Sequence, residues 1–137
     1  MMKTAEEIKS DVRQLLIGST LANQISGGIY PEGSRPRDSK KEDIVIILTA
    51  SLYGEIQSGV VTVHIYVPDK DYGRGYLEKH WERVTEVESM ARTWVEGLKA
   101  GKSCYKFTLQ QTICSQPNSE ISQHYVVVCL AYEYYNN

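Results

Sequence analysis

Phenylalanine is almost missing from this chain: one residue of 137, against ten tyrosines and two tryptophans. Its aromatic surface is therefore mostly amphipathic, an apolar body with a polar tip, which suits half-exposed sheet faces and contact surfaces. Cysteine is scarce and odd in number, at Cys104, Cys114 and Cys129. Three thiols without a secretory leader do not make a disulfide framework, and the polar opening Met1–Ser10 has no apolar core for such a leader. We expect reduced thiols, buried in strands as small hydrophobes, in a cytoplasmic protein. Apolar runs long enough to cross a membrane are lacking too. An excess of charge is also missing: the formal net charge is -2 with 23% charged residues. That balance offers no global attraction to nucleic acid.

Catalytic and ligand-binding signatures are equally sparse. No serine or cysteine stands in a nucleophile motif such as G-x-S-x-G. The cysteines and the three histidines, His64, His80 and His124, do not cluster at metal-ligand spacing. Asp71-Tyr72-Gly73-Arg74-Gly75-Tyr76 holds a G-x-G, but the third glycine and a βαβ context are wanting, and there is no P-loop. No cofactor or metal site is expected. The one arrangement that would support an enzyme or small-ligand site is a pairing of His64 and His124 across neighbouring strands, with Tyr66 or Tyr125 beside them.

What remains is the pattern of a folded domain. Thr4-Ala5-Glu6-Glu7 is a capping box, followed by Ile8, Val12, Leu15 and Leu16 at helical spacing and by Gly18 as a stop. The pattern predicts a helix over 5–17, with Leu21 and Ile25 on a further short turn. Gly27-Gly28-Ile29-Tyr30-Pro31 predicts a short edge strand. Residues 31–43, PEGSRPRDSKKED, read as a mobile loop. The β-branched run Ile44–Ser51 predicts a strand covered on both sides. Alternation in Val60–Val67 puts Val61, Val63, Ile65 and Val67 on one face and Thr62, His64 and Tyr66 on the other. A second loop, 68–76, leads to a long helix over 77–100 that includes Leu77, Trp81, Val84, Ala91, Trp94, Val95 and Leu98. Strands over 103–115 and 121–135, joined by a turn at 116–119, complete a hairpin.

These elements predict one domain over 1–137 of the α+β class: an antiparallel sheet of four to five strands with two helices packed on one face. The other face is free to be wet or to serve as an interface.

Candidate contact residues sit in the loops and the tyrosine-rich last strand: Tyr30, Arg35, Arg37, Lys40, Lys41, Tyr72, Arg74, Tyr76, Tyr132 and Tyr134. The basic group Arg35, Arg37, Lys40 and Lys41 is nearly cancelled by Glu32, Asp38, Glu42 and Asp43, so contact with nucleic acid from this loop would be unspecific. Ordering on assembly is the alternative role. Arg74 flanked by tyrosines fits either a docking tip or a solvated turn.

The layout of a first helix, the step Gly28-Ile29-Tyr30-Pro31, a long loop, a hairpin, one long helix and a final strand pair resembles the small tail-completion and tail-terminator proteins of long-tailed bacteriophages and prophages. That resemblance implies a ring-like homo-oligomer at the end of a tail tube that touches tail or connector proteins. It implies residence in the cytoplasm during assembly and in the virion tail afterwards, with no enzymatic activity. The tyrosine-rich end and the long final hairpin depart from that layout.

Overall fold

The computed structural model describes residues 2–101 and 103–135. In chain order the elements are α1 (Ala5–Leu16), α2 (Thr20–Asn23), β1 (Ile29–Pro31), β2 (Ile44–Leu52), β3 (Gln57–Pro68), β4 (Lys70–Asp71), β5 (Leu77–Glu78), α3 (Trp81–Ala100), β6 (Tyr105–Leu109), β7 (Cys114–Asn118) and β8 (Gln123–Tyr134). The fold is α+β, as the alternation of patterns predicts. The main sheet has six strands, not the expected four to five, in the order β1-β2-β3-β8-β6 with β7 also paired to β8, and the short α2 makes a third helix beside the expected two.

The capping box starts α1 as expected: the Thr4 hydroxyl accepts the Glu7 amide while the Glu7 carboxylate accepts the Thr4 amide. Ile8, Val12 and Leu16 form its buried stripe, and Gly18, at φ +81°, turns the chain away. In β3 the alternation predicted for Val61, Val63, Ile65 and Val67 is realised, and all four are buried. They join Ile44 and Ile46 of β2, Val126, Val128, Leu130 and Tyr132 of β8, and the apolar stripes of α1 and α3 in a single core cluster. The long helices thus cover one sheet face.

Four expectations need correction. The sheet is mixed, because β1 runs parallel to β2, pairing Ile29 with Ile44 and Pro31 with Ile46, while every other pair in it is antiparallel. A parallel neighbour needs a long return connection, and residues 32–43 supply it. A three-residue strand carries too little pattern to announce its direction. The residues after Gly75 do not enter the helix: Leu77 pairs with Asp71 in a small separate hairpin, and His80 caps α3 by accepting the Arg83 amide on Nδ1. Trp81, expected in the core, opens the helix 59% exposed.

The third correction concerns 103–115, which is not continuous. Four residues, 110–113, stand opposite two, 128–129, where pairing passes from Leu109↔Leu130 to Cys114↔Val127. A two-residue insertion breaks the ladder yet keeps each side chain on its original face, because the strand period is two. That is why the inside-outside pattern reads as one strand. Fourth, Gln116-Pro117-Asn118 belongs to β7 and the turn follows it; Pro117 is tolerated because β7 pairs on one side only.

Candidate functional site

The loop 31–43 is organised around one carboxylate. Asp43, 1% exposed, accepts the Gly28 amide on Oδ1 (2.9 Å), and Arg35 Nε (2.9 Å) and the Ser39 hydroxyl on Oδ2. Burial opposes its ionisation, but the hydrogen bonds from Ser39, Gly28 and Arg35 outweigh it and hold its pKa below the ordinary value. The Arg35 guanidinium reaches further, donating to Gln123 Oε1 (2.8 Å) and the Lys41 carbonyl (3.1 Å), and lies 3.9 Å from the centre of the Tyr66 ring. Gln123 Nε2 returns a bond to the Ser39 carbonyl (2.8 Å). The loop is therefore fastened across the corner of the sheet face opposite the helices, over Tyr66.

This network separates the basic residues that look alike in sequence. Arg35 points inward and is taken up by Asp43. Arg37, Lys40 and Lys41 are exposed and have no ion-pair partner among the described residues. Tyr30 folds back, its ring beside Gly28. A second knot joins the end of the loop to the helix layer: Arg83 of α3 donates to both carboxylate oxygens of Glu42 (2.7 and 2.8 Å) and to the Gln24 carbonyl (2.6 Å).

The G-x-G turn is a cradle already filled from within. Asp71 Oδ1 accepts the amides of Gly73, Arg74 and Gly75, with Gly73 and Gly75 at φ +91° and +83°. These bonds, that from Gly73 foremost, lower the Asp71 pKa. The amides that would hold a phosphate are thus engaged by the chain's own carboxylate. Arg74 stays exposed, 3.4 Å from Glu78, and Tyr76 beside it is exposed as well, while Tyr72 is half-buried against the His80 ring.

Tyr132, expected among the contact residues, is buried, whereas Tyr134 is half-buried. Both stand on the helix-covered face of β8, and Tyr132 is 1% exposed with its hydroxyl 3.0 Å from Ser51 Oγ. Tyr134 packs by Tyr105, and Lys3 lies over its ring. Tyr66 and Tyr125 stand on the open face, their rings 5.4 Å apart, and Tyr30, in register with Val45, faces the same side.

The two strand histidines do not form a site together. His64 pairs in register with Val127 and stacks on Tyr125 at 4.5 Å on the open face, where burial lowers its pKa. His124 pairs with Val67, whose side chain is in the core, so it stands on the opposite face; its Nδ1 is 2.7 Å from Asp69. Adjacent strands bring the backbones close, but the odd offset sends the side chains apart. No group of three or more His, Cys, Asp or Glu among the described residues is placed to hold a metal ion. Cys104 precedes β6 and is exposed, unlike the half-buried Cys114 and Cys129.

Among the described residues, exposed large apolar side chains are grouped in two places, with Met2, Ile17, Ile121 and Tyr135 exposed apart from them. Leu52, Tyr53 and Ile56 crown the β2–β3 hairpin, 71%, 72% and 45% exposed, and Tyr76, Leu77 and Trp81 follow the G-x-G turn. Sequence inspection passes over the first group because the residues look like the end of a strand and its turn. Among the described residues, no helix is long and apolar enough to cross a membrane. The chain matches no model of a known protein family, and no curated protein matches it significantly.

Proposed function

We propose that this chain is a structural assembly protein that acts by contact with other chains, forming a ring-like homo-oligomer that ends the tail tube of a long-tailed phage or prophage or joins it to the head. The observation that carries an assembly role is the apolar crown Leu52, Tyr53 and Ile56 on a projecting hairpin. Side chains of this size grouped on a projection mark a contact surface more often than scattered single hydrophobes do. The exposed group Tyr76, Leu77 and Trp81 supplies a second surface, and a ring needs two different surfaces that fit head to tail. Assignment to a tail rests on the layout around Gly28-Ile29-Tyr30-Pro31. In this reading the protein resides in the cytoplasm during assembly and in the virion tail afterwards, and its partners are copies of itself and tail or connector proteins.

The test is solution mass by light scattering after size exclusion across a range of concentrations, followed by electron microscopy. A defined oligomer with ring-shaped particles is expected. A monomer at every concentration would remove self-assembly, and an oligomer without a ring would remove the tail-end assignment.

A further inference from the structure

The connection from β1 to β2 is held by the backbone at both roots. The Glu32 amide donates to the Ile46 carbonyl (3.1 Å). At the other root the Gly27 amide donates to the Glu42 carbonyl (3.0 Å), the Glu42 amide to the Ser26 hydroxyl (3.0 Å), and Arg83 grips the Glu42 carboxylate. The arc between the roots, residues 33–41, reads GSRPRDSKK, and Pro36 is its one apolar side chain. Only Arg35 and Ser39 in it are not exposed. Its backbone–backbone bonds are local, from Ser34 to Pro31 and from Ser39 to Pro36.

Among the described residues, everything that fastens this arc to the rest of the chain passes through Arg35 and Ser39. Arg35 reaches Asp43, Gln123 and the Tyr66 ring, and Ser39 reaches Asp43 by its hydroxyl and Gln123 by its carbonyl. Asp43 belongs to the fixed root, one residue before β2. The arc therefore closes on two groups remote from it in sequence, Tyr66 of β3 and Gln123 at the start of β8. The Gln123 carboxamide is used at both ends: Oε1 accepts from Arg35 Nη2 and Nε2 donates to the Ser39 carbonyl, each at 2.8 Å. Gln123 is 2% exposed on the sheet face opposite the helices, where the arc is its cover. The core cluster includes none of residues 33–41. A segment held by a few polar contacts opens at lower free energy than the apolar core beneath it, because its polar groups exchange their partners for water.

We propose that residues 33–41 form a latch, closed on Gln123 and Tyr66, that swings open as a unit while the sheet and helices stay folded. Open, it bares the Tyr66 ring and the Gln123 carboxamide at the end of the aromatic row His64, Tyr125 and Tyr66. The roots at Glu32 and Glu42 stay in place, since their bonds run to β2, to the turn before β1 and to α3 rather than through the arc. The latch is a property of the single subunit and stands whether or not copies assemble.

Trypsin reads the opening, because Arg37, Lys40 and Lys41 are exposed and the bonds after them are cleaved only when the arc leaves its closed form. Cleavage at these bonds is followed by mass spectrometry across low urea concentrations and compared with global unfolding by circular dichroism. In the wild type the cleavage rate is expected to change little with urea, since opening the latch exposes little surface, whereas global unfolding responds steeply. Gln123→Ala and Ser39→Ala each remove fastening bonds and are expected to speed cleavage roughly ten- to a hundredfold at the same shallow urea dependence. A wild-type cleavage rate that follows global unfolding would overturn the latch, because the arc would then open only with the whole fold. Cleavage of the wild type as fast as of an unfolded peptide would overturn it too, because the arc would never close. A variant cleaved at the wild-type rate would show that Gln123 and Ser39 do not hold the arc, and the proposal would fall.

Discussion

The carboxylate of Asp43 fills the space in which a side chain on Gly27 would begin: a Cβ at Gly27 would overlap Asp43 Oδ1. The glycine pair before Ile29-Tyr30-Pro31 is thus tied to an acidic residue on the far side of the loop, where the Gly27 amide also meets the Glu42 carbonyl at 3.0 Å. Gly27→Ala must push this carboxylate or the backbone aside. We expect a loss of about 1–3 kcal/mol, the usual range for overpacking, measured by urea unfolding. An unchanged midpoint would show that the corner yields easily.

Asp43 makes stability depend on acid. Its folded pKa lies below the ordinary 3.8, so its contribution is full above the unfolded value and is lost as pH falls through the folded one. Asp43→Asn leaves the largely buried Arg35 without its partner and should cost about 3 kcal/mol near neutrality, as breaking one side of a buried pair does. The gap between wild type and variant should narrow below about pH 4. A gap constant down to pH 3 would place the loss in packing rather than charge.

Arg35 should differ from its basic neighbours. Arg35→Ala removes the bonds to Asp43, Gln123 and Lys41 and the packing on Tyr66, and is expected to destabilise by about 2–4 kcal/mol. Arg37→Ala, Lys40→Ala and Lys41→Ala each fall within about 0.5 kcal/mol of wild type. Equal effects across the four, in thermal or urea unfolding, would contradict the arrangement of the loop.

Tyr105 donates to Asp11 Oδ2 at 2.6 Å, and burial together with this bond pushes its phenol pKa far up. The resulting stability is present below the unfolded tyrosine pKa and is lost as pH rises above it. Tyr105→Phe should cost about 1.5 kcal/mol at pH 7 and narrow the difference from wild type above about pH 10. Unfolding curves at the two pH values test it; a variant as stable as wild type at pH 7 would show that Asp11 is equally well served by water.

Gly97→Ala tests what this glycine costs α3. The substitution meets no neighbour within the chain and should stabilise the fold by about 0.5–1 kcal/mol, read from urea unfolding. An unchanged or lowered midpoint would show that the helix gains nothing from a side chain there.

Local rules made much of the fold legible in the residues themselves. The capping box at Thr4, the alternation Val61-Val63-Ile65-Val67 and the apolar run from Ile44 each follow from the backbone geometry of one element, and each lies where expected. Pairing between distant segments did not. The parallel return of Ile29–Pro31, the two-residue insertion at 110–113 and the separation of His64 from His124 onto opposite faces depend on which strand lies next to which. Arg35 and Arg37 have the same chemistry two residues apart; only the fold, by placing Asp43, Gln123 and Tyr66 around one of them, turns it inward and leaves the other in solvent. The sequence alone determined the larger elements and the sides they bury, because those follow from local periodicity. The tertiary structure decided which groups meet, because a contact between remote residues is set by register and by the competition of many side chains for the same space.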